Sequence, residues 1–148
     1  MPIDVLAAGR SLKVESIAAP VRSDTEIETV ITSLGRELQG GLVVMPDAFV
    51  FVHRAPIILL AARNNVPAVY FQSAFARDGG LLSYGPNVVD MIRRSASYVD
   101  RILRGAKVAD LPVQRPVKFE IILNGRTAKE MGLTIPESFL QRIDEVIE

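Results

Sequence analysis

Polar and aromatic side chains follow three short apolar runs of this chain. A carboxylate, hydroxyls, an amide and aromatic rings can hydrogen-bond to an organic molecule and stack on it, and this is the usual makeup of a small-molecule site. If the apolar runs are parallel strands, the side chains that follow them meet at one edge of a sheet. The predicted ligand contacts are Asp47, Phe49, Phe71, Gln72, Ser83, Tyr84 and Gly85.

Some of these residues and their neighbours also have a purely structural interpretation. Asp47 could cap the helix that follows it, and this alternative is as well supported as ligand contact. Core packing is favoured for the neighbouring Tyr70, whereas Phe49 and Phe51 fit either role. The residue types predict the kind of site, and the structural alternatives stay open.

The apolar run Leu42–Met45, bounded by Gly41 and Pro46, is typical of a parallel strand that is buried on both faces. Ser23 and Glu26 form a capping box that opens a helix ending before Gly40, and a further helix is predicted from about Ala55 to Asn64. The other strands in this half of the chain are predicted at Leu12–Ala18 and Val66–Phe71. Alternation of strands and helices predicts an α/β fold with right-handed crossovers.

The second half of the chain continues the alternation. A short strand, Leu81–Asn87, is predicted to break at Gly85-Pro86, and a helix capped by Asn87 runs to Arg104. A proline-spaced connector, Val108–Pro116, leads into the strand Val117–Leu123. A short helix then ends at Gly132, and a last helix is predicted to begin at Pro136 and to bury Phe139, Leu140, Ile143, Val146 and Ile147. At the other terminus, Ile3–Arg10 is predicted to be the end of a helix.

Composition excludes several classes of function. The chain has 148 residues, the usual size of one domain, with 17 basic and 17 acidic residues, so it lacks the electrostatic footprint of a nucleic-acid-binding protein. It has no cysteine and one histidine, which leaves no basis for a thiolate or histidine metal site. We therefore expect no nucleic-acid partner, no metal and no cofactor. The arginines of the predicted helix Asn87–Arg104 are interspersed with aspartates, which favours a solvated face.

Motifs of catalysis are missing from the sequence. No Gly-rich nucleotide loop follows a predicted strand, and there is no nucleophile elbow. A triad would have to use His53 with Ser73 or Ser83 and with Asp47 or Asp78, and nothing in the spacing brings these residues together. We therefore predict that the chain is not an enzyme.

Four ordered motifs resemble the ABC transporter substrate-binding protein family related to tryptophan and tyrosine import proteins. They are the D-x-F of Asp47 and Phe49, GGLLSYGPN at Gly79–Asn87, the RGAKVADLPVQRP connector at Arg104–Pro116, and KFEIILNGRTAKEMGLTIP at Lys118–Pro136. The resemblance covers nearly the whole chain. Such proteins are similar to type I periplasmic binding proteins, in which two α/β lobes close on a ligand between them.

The resemblance implies that residues 1–148 are a single domain, the second or C-terminal lobe of such a protein. The fold class is then α/β, a parallel-sheet three-layer lobe that is incomplete because the first strand and the first lobe are absent. The absent strand would lie between Leu12–Ala18 and Leu42–Met45. The helix region 87–105 would be a crossover that packs on the missing lobe.

The resemblance further implies a solute-binding component of an ABC import system, with a permease as partner and a small organic ligand such as an amino acid. An extracytoplasmic or periplasmic location follows from the family, although no signal peptide is visible, so a cytoplasmic location is expected if these residues are the whole gene product. The uncovered sheet edge and helix 87–105 predict a homo-oligomer. The alternative is a stand-alone oligomeric or regulatory α/β protein without a transport ligand.

Overall fold

A five-stranded mixed sheet with helices on both faces organises the chain in the computed structural model, which describes residues 8–37 and 39–148. The strands are β1 (Leu42–Val44), β2 (Ala68–Tyr70), β3 (Leu82–Pro86), β4 (Phe119–Asn124) and β5 (Glu145–Ile147). The helices are α1 (Asp24–Leu34), α2 (Ala48–Val52), α3 (Arg54–Arg63), α4 (Ser73–Arg77), α5 (Val88–Leu103), α6 (Gly125–Glu130) and α7 (Glu137–Leu140), with a 3₁₀ turn at Val108–Asp110.

The strands lie side by side in chain order, β1-β2-β3-β4-β5. The pairs β1–β2, β2–β3 and β4–β5 are parallel, and β3–β4 is antiparallel. In the register, Val44 lies opposite Tyr70, and Tyr70 lies opposite Ser83. The α/β fold with a mostly parallel sheet is confirmed.

One face of the sheet is fully covered. Val44, Tyr70 and Ser83 share this face and are all buried. The amide of Asn124 donates to the carbonyl of Ala76 in α4, which fixes α4 over β3 and β4. Ile27 and Ile31 of α1 pack in the same core as Ile57, Ile58 and Ala61 of α3 and Phe75 of α4. The main core therefore lies between this face and α1, α3 and α4.

The opposite face is only partly covered. Leu123 of β4 packs there with Ala128 of α6 and with Leu140, which ends α7. Val43 of β1 points the same way and is 57% exposed, and Tyr84 of β3 is 55% exposed. This second layer therefore covers the sheet near β4 and leaves the β1 side of the face open.

The predicted strand Leu12–Ala18 is wrong. Residues 14–22 have no regular structure, and Leu12 and Ile17 are exposed. A strand needs a neighbour to accept and donate its backbone hydrogen bonds. The strand expected between this segment and β1 is not among the described residues. The segment does not pair with β1 itself, so it has no neighbouring strand.

The end of the chain also differs from prediction. The last helix is wrong beyond Leu140, because residues 145–147 form β5 instead of continuing the helix. Asp144 binds the start of β5 to β4. Its carboxylate accepts from the Ile121 amide, and its own amide donates to the Ile121 carbonyl. Apolar residues at 143, 146 and 147 suit either element, and the free edge of β4 decides between them.

Several boundaries are shifted as well. The helix predicted from Ala55 is the second of two, α2 and α3, which meet at His53. Strand β3 continues through Gly85 to Pro86 instead of breaking there, and Pro86 pairs with Phe119. The Ser23 cap is confirmed, because its hydroxyl accepts from the Glu26 amide, and α5 begins after Asn87 as predicted. Most of the predicted helix Ile3–Arg10 lies outside the described residues, and the described part, residues 8–10, is helical.

An ion pair fastens the edge strand β5 to α4. The guanidinium of Arg77 donates to both carboxylate oxygens of Glu145 at 2.7 Å each. This hydrogen-bonded cation holds the pKa of Glu145 below its ordinary value. The folded state therefore binds fewer protons at this site than the unfolded state.

We predict that this pair makes stability depend on pH. Its contribution is present above the ordinary glutamate pKa and is lost as the pH falls through the lower folded value. Both side chains are about half exposed, so the contribution at neutral pH should be only ~0.2–1 kcal/mol. In urea unfolding, the free energy of unfolding of Glu145→Gln should be lower than that of the parent by this amount at pH 7. The gap between the two free energies should be smaller at acid pH. The control Glu130→Gln should show no such narrowing, and a Glu145→Gln gap that is constant with pH would contradict the assignment.

Candidate functional site

The carboxyl ends of the three parallel strands lie at one edge of the sheet. Val44, Tyr70 and Ser83 form one row across β1, β2 and β3, so the residues that follow them belong to the same edge. Asp47 follows β1, Gln72 follows β2, and Tyr84 continues β3. Open α/β sheets bind ligands at this edge. The prediction that these three segments meet there agrees with the topology.

Asp47 caps α2. Its Oδ1 accepts hydrogen bonds from the amides of Phe49 at 2.8 Å and Val50 at 3.2 Å, while its backbone is extended. A carboxylate at this position satisfies two otherwise unpaired amides and interacts favourably with the helix dipole. The capping alternative is therefore realised, and the role of Asp47 as a ligand contact stays a prediction.

His53 connects α2 with two neighbours. The ring of Phe49 lies 3.9 Å from the His53 ring, centroid to centroid, and the His53 Nδ1 lies 2.7 Å from the Phe49 carbonyl oxygen. Its Nε2 lies 3.5 Å from a carboxylate oxygen of Asp24 at the start of α1. These contacts give the one histidine of the chain a structural role between α1 and α2. They also give the Phe49 ring a packing partner at the end of α2.

Phe71 belongs to an aromatic cluster beneath the sheet edge. Its ring centroid lies 5.2 Å from Phe75 and 6.5 Å from Phe51, and Tyr70 stacks on Phe75 at 4.9 Å. Burial raises the pKa of the Tyr70 phenol, so this group stays neutral. The core role favoured for Tyr70 is confirmed, and Phe51 also packs against this core.

Gly85 lets β3 approach the end of β2 closely. A Cβ placed on Gly85 would lie only 1.9 Å from the Phe71 carbonyl oxygen and 2.9 Å from the Phe71 carbonyl carbon. No side chain fits in that space, so the glycine is required by the contact between the two strands. Gly85 therefore allows the backbone of Phe71 and Gln72 to lie close against β3.

Ser83 and Tyr84 point to opposite faces of the sheet. Ser83 is buried toward the main core, and its hydroxyl oxygen has no hydrogen-bond partner among the described residues. Tyr84 points to the half-open face, where its ring lies 5.8 Å from that of Phe119 on β4. Phe119 is 47% exposed. An exposed aromatic pair is thus available at this edge, while Ser83 is enclosed; contact of either residue with a ligand stays a prediction.

Sequence reasoning missed Phe119 as part of this edge. The alternation of Lys118 and Glu120 with apolar neighbours indicated the strand but not which of its faces is open to solvent. The antiparallel pairing of β3 with β4 could not be predicted from local pattern, and this pairing places Phe119 beside Tyr84 on the open face. The only available signal was the pair of aromatic residues at the ends of two candidate strands.

Comparison with known proteins identifies the family. The sequence profile of the family described as ABC transporter substrate binding protein matches residues 3–147. The chain belongs to this family. A search of the curated proteins gave no match.

Solved structures support the same fold. An ABC domain in complex with L-Trp from Streptococcus pneumonia superposes with a TM-score of 0.87 at 24% identity, over 99% of this chain and 50% of that one. A conserved domain protein from Vibrio cholerae gives a TM-score of 0.85 at 19% identity, over 97% and 49% of the two chains. A ligand-free, open substrate-binding protein with adhesive properties from Clostridium difficile gives 0.67 at 23% identity, over 98% and 48%. The chain therefore spans about half the length of the solved structures that it matches.

Within the described residues no helix has both the length and the apolar character needed to cross a membrane.

We predict that the cap, and not the charge, accounts for the effect of Asp47 on stability. Asp47→Ala removes the acceptor of two amides and should lower the free energy of unfolding by about 1 kcal/mol. Asp47→Asn keeps an oxygen acceptor at the same position, so its cost should be a few tenths of a kcal/mol. Urea unfolding measures both values. Equal losses for the two variants would show that the charge of Asp47, not its capping geometry, stabilises the fold.

Proposed function

We propose that this chain is the ligand-binding C-terminal half of a solute receptor that serves an ABC importer. The observation that carries the proposal is the shared edge of β1, β2 and β3, where Asp47, Gln72 and Tyr84 follow or end neighbouring parallel strands. Membership of the substrate-binding family supports a small-molecule ligand and a permease partner. The same membership supports an extracytoplasmic location and a role without catalysis.

The proposed ligand is a small amino acid or related amine that carries an aromatic ring. One similar structure was solved with L-Trp. The carboxylate oxygen of Asp47 that is not used by the helix cap would accept from the ligand amine, and the exposed ring of Tyr84 would stack on the ligand ring. The Phe71–Gln72 backbone, which lies close to Gly85, would form the floor of the site.

Two lobes are needed for full affinity. Small-molecule sites bury most of the ligand surface, and closure of a second lobe supplies much of that burial. We therefore propose that the apolar face of α5, with the connector after it, packs on a further half like the one that completes the solved structures. The stand-alone regulatory alternative has no observation in its favour, since the family match spans residues 3–147.

We predict weak, saturable binding of L-tryptophan by the 148-residue chain. The chain contains no tryptophan, so any change of indole emission during a titration reports the ligand itself. Tyr84→Ala should weaken the affinity by about tenfold, the equivalent of one aromatic stacking contact. The control Glu130→Gln, an exposed residue that ends α6 and lies outside the three segments of the site, should bind like the parent.

Nuclear magnetic resonance of the ¹⁵N-labelled chain then locates the contact. Addition of L-tryptophan should shift the amides around Asp47, Gln72 and Tyr84, and glycine at the same concentration should shift them less. Shifts confined to the opposite end of the sheet, near Asn64 and Asn65, would place the ligand elsewhere and refute the proposed site.

We also propose that the chain alone forms a homo-oligomer through α5 and through the edge of β1 that pairs with no strand of the described residues. Ile92 and Leu103 of α5 are 67% and 82% exposed, and such a stripe of apolar side chains tends to find a partner. In the 148-residue chain that partner would be a second copy.

Light scattering at increasing protein concentration tests this prediction. The parent should exceed the monomer mass, and Ile92→Lys with Leu103→Lys should raise the dissociation constant by at least about tenfold, because apolar side chains at the centre of an interface contribute most of its stability. Ser97→Lys, on the polar face of α5, is the matched control. A parent that remains monomeric at all concentrations would overturn the prediction.

A further inference from the structure

Helix α5 leaves the sheet with little to hold its direction. It spans the 16 residues Val88–Leu103, which makes it about 24 Å long, and none of its residues is buried. It makes no extended contact with any other helix or strand of the described chain. The Tyr98 hydroxyl donates to the Pro112 carbonyl, but Pro112 is itself in the exposed connector that follows. The direction of the helix must therefore be fixed where it begins.

Asn87 makes three hydrogen bonds at the start of α5, one within the helix and two to β4 or the residue before it. Its backbone amide donates to the Lys118 carbonyl at 2.9 Å. Its side-chain Oδ1 accepts from the Asp90 amide at 2.8 Å and so caps the helix. Its side-chain Nδ2 donates to a carboxylate oxygen of Glu120. One side chain thus holds the first turn of α5 with one atom and the neighbouring strand with the other.

Glu120 is well placed to hold this amide. It lies on β4 directly opposite Gly85 of β3, and its side chain is half-buried. The hydrogen bonds to Glu145 are the main cause that raises the Arg77 pKa, and the nearby charge of Glu120 makes a smaller contribution in the same direction. A carboxylate that accepts from an amide makes a charge-assisted hydrogen bond, which is stronger than a neutral one.

We propose that Asn87 and Glu120 are positioning residues that together set the direction in which α5 leaves the sheet. The Asn87 cap fixes the first turn of the helix, and the bond to Glu120 fixes that cap against β4. Without this bond the helix keeps its cap, its peptide link to Pro86 and the bond from the Asn87 amide to the Lys118 carbonyl, but the Asn87 side chain no longer ties the first turn of α5 to β4. The pair lies beside Tyr84 and Gly85, so it sets the angle between the candidate site and whatever packs on the apolar face of α5. This inference concerns the chain itself and holds whatever ligand is bound.

One matched pair of variants at Glu120 and a third variant at Asn87 separate the positioning role from general stability. Glu120→Gln keeps an oxygen acceptor for the Asn87 amide, whereas Glu120→Ala removes it. Asn87→Asp keeps the capping oxygen, loses the Nδ2 donor and sets a second carboxylate against Glu120. Circular dichroism and thermal unfolding confirm that each variant remains folded and that α5 is still helical.

The direction of α5 can be measured because the chain contains no cysteine. Pulsed electron paramagnetic resonance can measure the distance between two spin labels. One label is placed at Arg101→Cys on the exposed polar face of α5, and the other at Arg63→Cys at the end of α3. All labelled proteins also carry Ile92→Lys and Leu103→Lys, so that association through α5 does not set its direction, and dilution with unlabelled protein restricts the signal to distances within one molecule.

We expect the parent and Glu120→Gln to share one narrow distance distribution. In Glu120→Ala and Asn87→Asp, the ratio of molecules in that distribution to molecules outside it should fall about tenfold or more, as expected for loss of a hydrogen bond to a charged group. If either of these two folded variants keeps the parent distribution, the proposal is wrong. A Glu120→Gln variant that behaves like Glu120→Ala would also overturn it, because the effect would then follow charge and not the bond to Asn87.

Discussion

Parallel pairing of β1, β2 and β3 is the constraint on which the rest of this structure depends. Parallel neighbours need a crossover between each pair, and right-handed crossovers between strands that follow one direction lie on the same face of the sheet. Helices α3 and α4 accordingly share the face that buries Tyr70. The same constraint brings the carboxyl ends of these three strands to one edge, and this is why residues as distant in sequence as Asp47 and Tyr84 can serve one site.

Helices cover one face of the sheet fully and the other face only in part. Val43 and Tyr84 are more than half exposed on the open face, and β1 has one neighbouring strand in the described chain. Exposed apolar side chains on a sheet face and a free strand edge are features that proteins normally cover. The chain spans about half the length of the structures it matches, and the second half that we propose would pack on these surfaces and on the apolar face of α5.

Local sequence patterns predicted the elements that are locally determined. The Ser23 cap, the Asn87 cap and the stop of α6 before Gly132 depend on residues within one turn, and each is present. Elements that depend on a distant partner were predicted less well. The alternation in Leu12–Ala18 is compatible with a strand, but a strand forms only beside another strand. The residues of β5 suit a helix equally well, and pairing with β4 decides their structure.

The candidate site shows the same division between local and distant information. Residue types indicated which side chains are suited to contact a ligand, but not the face on which each side chain lies. In β3, adjacent residues point to opposite faces, so Ser83 enters the core while Tyr84 meets Phe119 in the open. The side chains that can reach a ligand directly therefore form a smaller set than the residues that follow the strands.

Helix capping and ligand contact by Asp47 are compatible roles. The cap uses Oδ1 for two backbone amides, and a carboxylate has lone pairs on both of its oxygens. A side chain that is already held by a helix terminus loses little conformational freedom when it binds a ligand, which lowers the entropic cost of binding. The helix that Asp47 caps is only five residues long, so the carboxylate is held by local bonds and lies at the exposed end of β1. Because the cap orients the acid before any ligand arrives, the structural interpretation of this residue strengthens its candidacy as a ligand contact.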